Sequence, residues 1–145
     1  MKRLVTVLLL TFASLTGNAA EGPRPVFIRA ACDGKISSAI LYSLKQELRS
    51  SQKYQLIPTL DDSGRMDIVL TIEMSCTERS DVAAVATAYG EAKCFALNNC
   101  HATFDALSLK SVLCDSNATA ECGRARFKAF DDYMSNPLRP PLKLQ

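Results

Sequence analysis

Apolar residues recur every four positions between Gly34 and Ser50, and this spacing is typical of one face of an α-helix. Leu41 lies beside the apolar stripe, whereas the opposite side is mostly polar. We expect Asp33 to be the N-cap of this helix, because its carboxylate can accept hydrogen bonds from free backbone N–H groups. The stripe consists of Ile36, Ile40, Leu44 and Leu48.

Alternation of apolar residues with mostly polar residues predicts the clearest strand of the chain over Met66 to Cys76. Its apolar residues share one face, so we expect one side of the sheet to be covered and the other to be mostly polar. Shorter or more mixed patterns predict further strands over residues 26–31, 54–57, 82–94 and 102–114. The apolar set of the alternating strand is Ile68, Leu70, Ile72 and Met74.

The predicted strand over residues 82–94 is rich in alanine. Larger residues fall on one side of it, and Ala84, Ala86 and Ala88 fall on the other. Because small side chains permit close approach, we expect a helix to pack close against this strand. Alanine also favours helix formation, so a helix over residues 82–89 remains the alternative.

A second amphipathic helix is predicted over residues 121–134, with Phe127, Phe130 and Met134 on one face. The predicted order is therefore β-α-β-β-β-β-α. This order indicates an α+β fold: a two-layer sandwich with a mixed sheet of four to five strands and two helices. We expect a single domain over residues 21–135, followed by a proline-rich mobile tail over residues 136–145.

The first 20 residues have the three parts of a secretory signal peptide. Lys2 and Arg3 form a positive end, an apolar run of about ten residues follows, and small residues precede the predicted cleavage after Ala20, with Ala19 as the alternative. The apolar run is shorter than the roughly 20 residues that a membrane-spanning helix needs. We therefore expect a periplasmic or secreted protein with no transmembrane segment.

Removal of this leader changes the charge of the protein. The whole chain has 17 Lys and Arg against 15 Asp and Glu, and the loss of Lys2 and Arg3 leaves 17 − 2 = 15 against 15. A net charge of zero argues against a nucleic-acid partner, because nucleic-acid binding depends on a basic surface. A small basic surface patch is predicted at Arg124 and Lys128, which share one side of the second helix.

All six cysteines follow the leader, and an even number of cysteines in an exported chain indicates three disulfides. The cysteines lie at the predicted ends of strands, turns and helices. If the first strand and the alternating strand are parallel neighbours, their final cysteines can be joined. We predict a disulfide-stapled fold with the pairs Cys32–Cys76, Cys94–Cys100 and Cys114–Cys122.

The residues that could carry catalysis or bind a metal form no established motif. Cys94, Cys100 and His101 suggest zinc, but the spacing of the cysteines is wider than in most zinc sites. His101 is the only histidine, and an acid–base mechanism would depend on it. Asp131 and Asp132 are adjacent, but neighbours on a helix point about 100° apart. We predict no catalytic residues, no metal site and no cofactor.

Several segments resemble a known group of bacterial proteins. Val26-Phe27-Ile28, Tyr54-Gln55-Leu56-Ile57 and the strand Asp67 to Ile72 are similar to the opening of small envelope domains such as the amino-terminal domain of TolB and related secretion-accessory proteins. The segment Cys114 to Gly123 resembles exported, periplasmic bacterial proteins of unknown function. The resemblance implies a periplasmic α+β domain and carries over no active-site residue. The six cysteines depart from the TolB-like pattern.

These observations favour an exported, non-enzymatic binding or accessory protein of the bacterial envelope that acts through a protein surface. Its expected partner is an unknown envelope or secreted protein. One alternative is a secreted inhibitor or immunity protein that blocks an enzyme such as a cell-wall hydrolase. The other is a small hydrolase or metal protein that uses His101.

Overall fold

The computed structural model describes residues 22–60, 68–95, 99–104 and 110–136, and for residues 93–95, 99–104 and 110 it describes the backbone. The predicted leader and the part of the predicted tail that follows residue 136 lie outside these residues. The elements are β1 (Arg24–Ala31), α1 (Lys35–Ser50), β2 (Tyr54–Ile57), β3 (Ile68–Arg79), β4 (Val82–Phe95), β5 (Asn99–Phe104), β6 (Lys110–Asp115), a 3₁₀ turn (Ser116–Ala118) and α2 (Thr119–Met134).

The strands form one mixed sheet in the order β2-β1-β3-β4, with β5 and β6 both paired to β4. β1 is parallel to β2 and to β3, and the remaining pairs are antiparallel. Parallel neighbours need a long crossover connection, and α1 supplies it between β1 and β2. The α+β architecture with a mixed sheet and two helices is therefore confirmed.

Both helices lie on the same side of the sheet and form the main core with it. The predicted stripe of α1 is buried there, together with Leu70, Ile72 and Met74 of β3. Phe130 of α2 fills the centre of this layer, with its ring centroid 5.0 Å from that of Tyr54 and 5.6 Å from that of Tyr89. Gly123 lets the helices approach closely, because a Cβ there would overlap Ser43 of α1.

The last predicted strand, over residues 102–114, is two strands in the structure. β5 pairs Phe104 with Gly90, whereas β6 pairs Lys110 with Thr87. The two pairings are three residues apart along β4 (90 − 87 = 3) but six residues apart along the strand that pairs with it (110 − 104 = 6). A continuous antiparallel ladder advances one residue for one. The three additional residues divide the strand, and β5 and β6 occupy one position in the sheet.

The alanines of β4 do not make the helix contact that their size suggested. Val85 and Tyr89 face the helices and are buried, while Ala84 on the opposite face is exposed. The strand prediction over residues 82–94 is confirmed, but the alanine side of β4 has no helix on it. Small residues suit a surface at which another element can approach closely, and within the described residues the chain provides no helix there.

The N-terminus of α1 also differs from expectation, because its N-cap is Gly34 and not Asp33. The acceptor for the free N–H groups comes from β3: the Glu78 carboxylate accepts hydrogen bonds from the backbone N–H and the hydroxyl of Ser37. A Cβ on residue 34 would collide with that carboxylate. Gly34 therefore leaves room for the carboxylate of a residue that is distant in sequence.

Candidate binding surface

The face of the sheet opposite the helices has no helix on it in the described residues. Side chains alternate along a strand, so the residues between the core positions of β1, β3 and β4 all point to this face. The strand registers place them in rows, with Arg29 beside Glu73 and Glu73 beside Ala88. This helix-free face has two halves that differ in burial.

The covered half lies where β1 and β3 begin. Its residues form a second small core, in which Val69 and Ala92 are fully buried and Ile57 nearly so. The neighbouring Thr71 is also buried, with 3% of its surface exposed. We define the covered half by Phe27, Ile57, Leu60, Val69 and Ala92.

The open half lies where β1 and β3 end. Its floor consists of small side chains, and it contains a shallow depression of about 290 Å³ lined by residues of β1, β3 and β4. Beside this floor, Leu113 of β6 is 75% exposed, which is the largest exposure of a large hydrophobic side chain in the described residues. We define the open half by Arg29, Ala31, Glu73, Ser75, Ala84, Ala86, Ala88 and Leu113.

One ion pair interrupts this mostly uncharged floor. Arg29 Nη1 lies 3.5 Å from Glu73 Oε1, and the two side chains are 78% and 37% exposed. A pair this exposed contributes little to stability, because water screens both charges. The guanidinium and the carboxylate therefore remain able to contact groups of a partner. A flat floor with an apolar side chain on one side and two opposite charges on the other is suited to a protein partner.

Two disulfides lie at the same end of the sheet as the open half. Cys32 is joined to Cys76, and Cys114 is joined to Cys122. These are two of the three pairs that the sequence predicts, and no described cysteine is free. The first bridge connects Cys32, which directly follows β1, to Cys76 within the parallel strand β3, and the second connects β6 to α2. The backbone under the open half is thereby held covalently.

The third predicted pair involves residues for which the structure describes the backbone only. Cys94 and Cys100 are direct partners in the β4–β5 ladder, at the hairpin between these strands. His101 is opposite Lys93 in the same ladder. The proposed disulfide Cys94–Cys100 and the role of His101 stay predictions.

The predicted basic patch on α2 lies away from the open half, on the helical layer. Arg124 and Lys128 are both exposed. Lys128 Nζ lies 2.9 Å from Asp132 Oδ2, and this hydrogen bond together with the attraction of the carboxylate raises the pKa of Lys128. The negative charge of Asp132 offsets the positive charge of Lys128, one of the two residues of the patch. The local positive charge is therefore weaker than the two basic residues alone would give.

Asp131 and Asp132 have separate partners and form no acid–base pair. Asp131 accepts hydrogen bonds from Lys53 at 3.0 Å and from the Tyr54 hydroxyl at 2.8 Å. Burial alone would raise the pKa of Asp131, but these bonds and the nearby positive charges lower it below its ordinary value. Burial, and then the bond to Asp131, raise the pKa of Tyr54. This cluster fastens α2 to β2.

Within the described ranges, no group of three or more His, Cys, Asp or Glu side chains is arranged to hold a metal ion. In the same residues, neither helix has the length and apolarity to cross a membrane.

No single site residue on the open half was recognised from the sequence. The available signal was the row of alanines on the side of β4 that faces away from Val85 and Tyr89.

Comparison with known proteins adds a distant likeness. No family model matches the chain, and no curated protein matches it. Among solved structures, the hypothetical protein CT253 from Chlamydia trachomatis is similar over 77% of this chain and 94% of its own, with 8% sequence identity and a TM-score of 0.40.

Proposed function

We propose that this chain is an exported, non-enzymatic binding or accessory protein of the bacterial envelope that holds a partner protein on the open half of its sheet. The observation that carries the proposal is the combination of an uncovered floor of small side chains with the exposed Leu113 at its side. A contiguous exposed apolar patch on a protein is typical of an interaction site.

The disulfides support the compartment. Disulfides persist in oxidising environments such as the bacterial periplasm and the exterior, and they are rare in the cytosol. Both described bridges lie in the folded domain. The sequence adds a leader with a positive end and an apolar run in residues 1–20. We therefore assign the protein to the periplasm or the exterior of a bacterium.

The chemistry of the surface defines the partner. Ala84, Ala86 and Ala88 allow a flat apolar surface to approach the backbone of β4 closely. Arg29 and Glu73 add one positive and one negative group, and these select a partner that carries the opposite charges at matching positions. The partner is thus an envelope or secreted protein with a flat apolar patch beside a carboxylate and a basic side chain.

A photo-crosslinking amino acid at position 86 tests this proposal, with the same residue at position 39 as the matched control. Ala39 is exposed on α1, in the helical layer. We expect a specific envelope protein to be crosslinked from position 86 and not from position 39. The captured protein is then purified, and Ala84→Arg should weaken its binding about tenfold or more, whereas Ala39→Arg should leave it unchanged.

Equal crosslinking from the two positions would contradict the proposal, and so would a captured protein that binds Ala84→Arg as tightly as the original chain. The variants must first show the same circular dichroism spectrum and melting temperature as the original. This requirement separates a lost contact from a lost fold.

An inhibitor of a cell-wall hydrolase is the second candidate function. It is favoured by the β4–β5 hairpin, because direct pairing of Cys94 with Cys100 would allow a bridge to hold the intervening loop rigid. A hydrolase that is captured from position 97, and that loses activity when the purified protein is added, would establish this candidate. An activity that is lost in His101→Ala would instead establish the small hydrolase.

A further inference from the structure

β6 is an edge strand whose inner side pairs with β4. The register joins Val82 to Asp115 and Thr87 to Lys110, and within the described residues no strand pairs with the outer side. The opposite edge of the sheet, β2, is only four residues long and is followed by Pro58. Short strands and prolines protect an edge from further pairing. β6 is longer and has no proline.

One hydrogen bond shows which residues of β6 direct their backbone outward. The N–H of Ser116 donates to the carbonyl of Asp81 at a distance of 2.8 Å, so these two residues are a hydrogen-bonded pair. Hydrogen-bonded and non-hydrogen-bonded pairs alternate along an antiparallel ladder. Cys114 and Val112 therefore bond to β4. The residues whose N–H and C=O groups point outward are Ser111, Leu113 and Asp115.

The same three residues place their side chains on the helix-free face. Val112 and Cys114 belong to the main core beneath the helices, and Cys114 is joined to Cys122 of α2. The backbone N–H and C=O groups of Leu113 thus point away from β4, and its apolar side chain is exposed. An edge with that combination is a template for another strand.

We propose that β6 pairs antiparallel with β6 of a second copy of this chain, about a two-fold axis that is perpendicular to the sheet and passes beside Leu113. Such an axis keeps the faces of the two sheets aligned. Leu113 then lies opposite its equivalent, and Ser111 lies opposite Asp115 of the second copy. The Leu113 pair exchanges two backbone hydrogen bonds, and Ser111 pairs with Asp115, which is also the N-cap of the following 3₁₀ turn.

The side chains fit this register. The two Leu113 side chains meet at the axis and bury apolar surface that is exposed in the single chain. Asp115 meets a serine hydroxyl, and no like charges stand opposite each other. A parallel arrangement would place Asp115 against Asp115 of the second copy, which is unfavourable. Centring the pair on Val112 would place Leu113 opposite Ser111 of the second copy, so the exposed leucine side chain would not meet its equivalent.

Two other occupants fit less well. The chain's own C-terminal segment contains Pro137, Pro140 and Pro141, and proline lacks the N–H group that strand pairing needs. An extended segment of another protein would also satisfy the backbone of β6, but it need not place an apolar side chain opposite the exposed Leu113. A second copy supplies Leu113 itself at that position, and this favours a second copy.

Sedimentation equilibrium of the purified protein over a wide concentration range tests this proposal. We expect a reversible dimer. Leu113→Pro removes one outward N–H without touching the bonds to β4, and Leu113→Lys replaces the apolar contact with a charge. Each should weaken the dimer about tenfold or more. Tyr42→Lys is the matched control, because Tyr42 is 61% exposed on α1, remote from this edge, and it should leave dimerisation unchanged.

A protein that remains monomeric at every concentration would overturn the proposal. So would a dimer that both Leu113 variants preserve, or one that Tyr42→Lys abolishes equally. Circular dichroism spectra of the variants must match that of the original chain, whereas the melting temperature of a variant that no longer dimerises should fall at high protein concentration. Leu113 belongs to both proposed surfaces, so the two proposals are tested separately by repeating the crosslinking from position 86 in monomeric Leu113→Pro. Retained crosslinking there with a lost dimer separates the two surfaces.

Discussion

The two ends of the sheet are stabilised in different ways, although the same strands run through both. At the covered half, side chains of β1, β3 and β4 are buried on both faces of the sheet, as the full burial of Val69 and Ala92 shows. At the open half only the helical face is buried, and this end carries the bridges Cys32–Cys76 and Cys114–Cys122. Glu78 adds hydrogen bonds to the N-terminus of α1 there.

This difference indicates how a sheet can remain stable while part of one face is left uncovered for binding. Burial of apolar surface is the usual source of stability, and an uncovered face forgoes part of it. Covalent bridges at that end limit the freedom of the unfolded chain and make up for the missing cover. The open half can then keep small side chains and an exposed leucine without fraying the strands beneath them.

The largest expected effect comes from removing the bridge under the open half. Cys32→Ala combined with Cys76→Ala should lower the free energy of unfolding by about 4 kcal/mol, because the bridge spans 44 residues in sequence. Urea unfolding at neutral pH measures this loss. The pair Cys114→Ala with Cys122→Ala, which spans only eight residues, should cost about 2.6 kcal/mol. The reverse order of the two losses would show that loop closure is not what this bridge contributes.

The next effect compares the halves directly on one strand and one face. Val69→Ala in the covered half should cost about 2 kcal/mol, because buried methyl groups are lost and a cavity remains. Ser75→Ala, in the open half of the same strand, should change stability by less than about 0.5 kcal/mol. Thermal unfolding of both variants checks the contrast. Similar losses at the two positions would mean that the open half is covered after all.

A smaller effect concerns the carboxylate at the open end. The hydrogen bond from the backbone of Ser37, ahead of the opposing desolvation, lowers the pKa of Glu78. A carboxyl group with a lowered pKa in the folded state stabilises the protein above its ordinary pKa of about 4.3, and this contribution is lost as the pH falls through the lowered value. Glu78→Gln should therefore destabilise the protein at pH 7.

Unfolding curves measured from pH 7 to pH 3 check this dependence, and the difference between Glu78→Gln and the original chain should shrink towards low pH. Glu121→Gln, at an exposed position in the first turn of α2, serves as the control. A difference that stays constant with pH would mean that the charge of Glu78 does not hold the helix.

The smallest expected effect is a gain in the free energy of unfolding, and it comes from the turn between β3 and β4. This turn lies at the end of the sheet that carries the open half. Ser80 has a φ of 54°, in the left-handed region that glycine adopts without strain. Ser80→Gly should raise the free energy of unfolding by about 0.5 kcal/mol. Asp81→Gly should give no gain, because Ser80 is the residue with positive φ in this turn. Equal gains from both changes would contradict this explanation.

Much of the fold is predictable because it depends on local periodicity. The four-residue spacing of α1 and the alternation of β3 come directly from the geometry of helix and strand. The resulting faces are buried as predicted, except that Ile68 at the start of β3 is 45% exposed. The pairing of Cys32 with Cys76 could also be anticipated, because parallel neighbours bring their ends together. The boundary of β3 is less accurate, since the strand continues past Cys76 to Arg79.

The features that could not be predicted depend on residues distant in sequence. The cap of α1 comes from Glu78, far along the chain, so no local pattern marks it. Small residues such as Ala86 are equally consistent with a close helix contact and with an uncovered surface, and only the tertiary arrangement decides. The buried Val69 was a missed signal, because an apolar residue on the polar side of β3 indicates cover at that point.

The division between β5 and β6 has a consequence for how related chains can vary. Because each strand is fixed to β4 by its own register, a residue gained or lost between Phe104 and Lys110 shifts neither ladder. The two-residue turn at Ser80 and Asp81 allows no such freedom, since any change there moves the whole of β4 against β3. In an alignment of homologues, insertions and deletions should therefore accumulate at the first connection and be rare at the second.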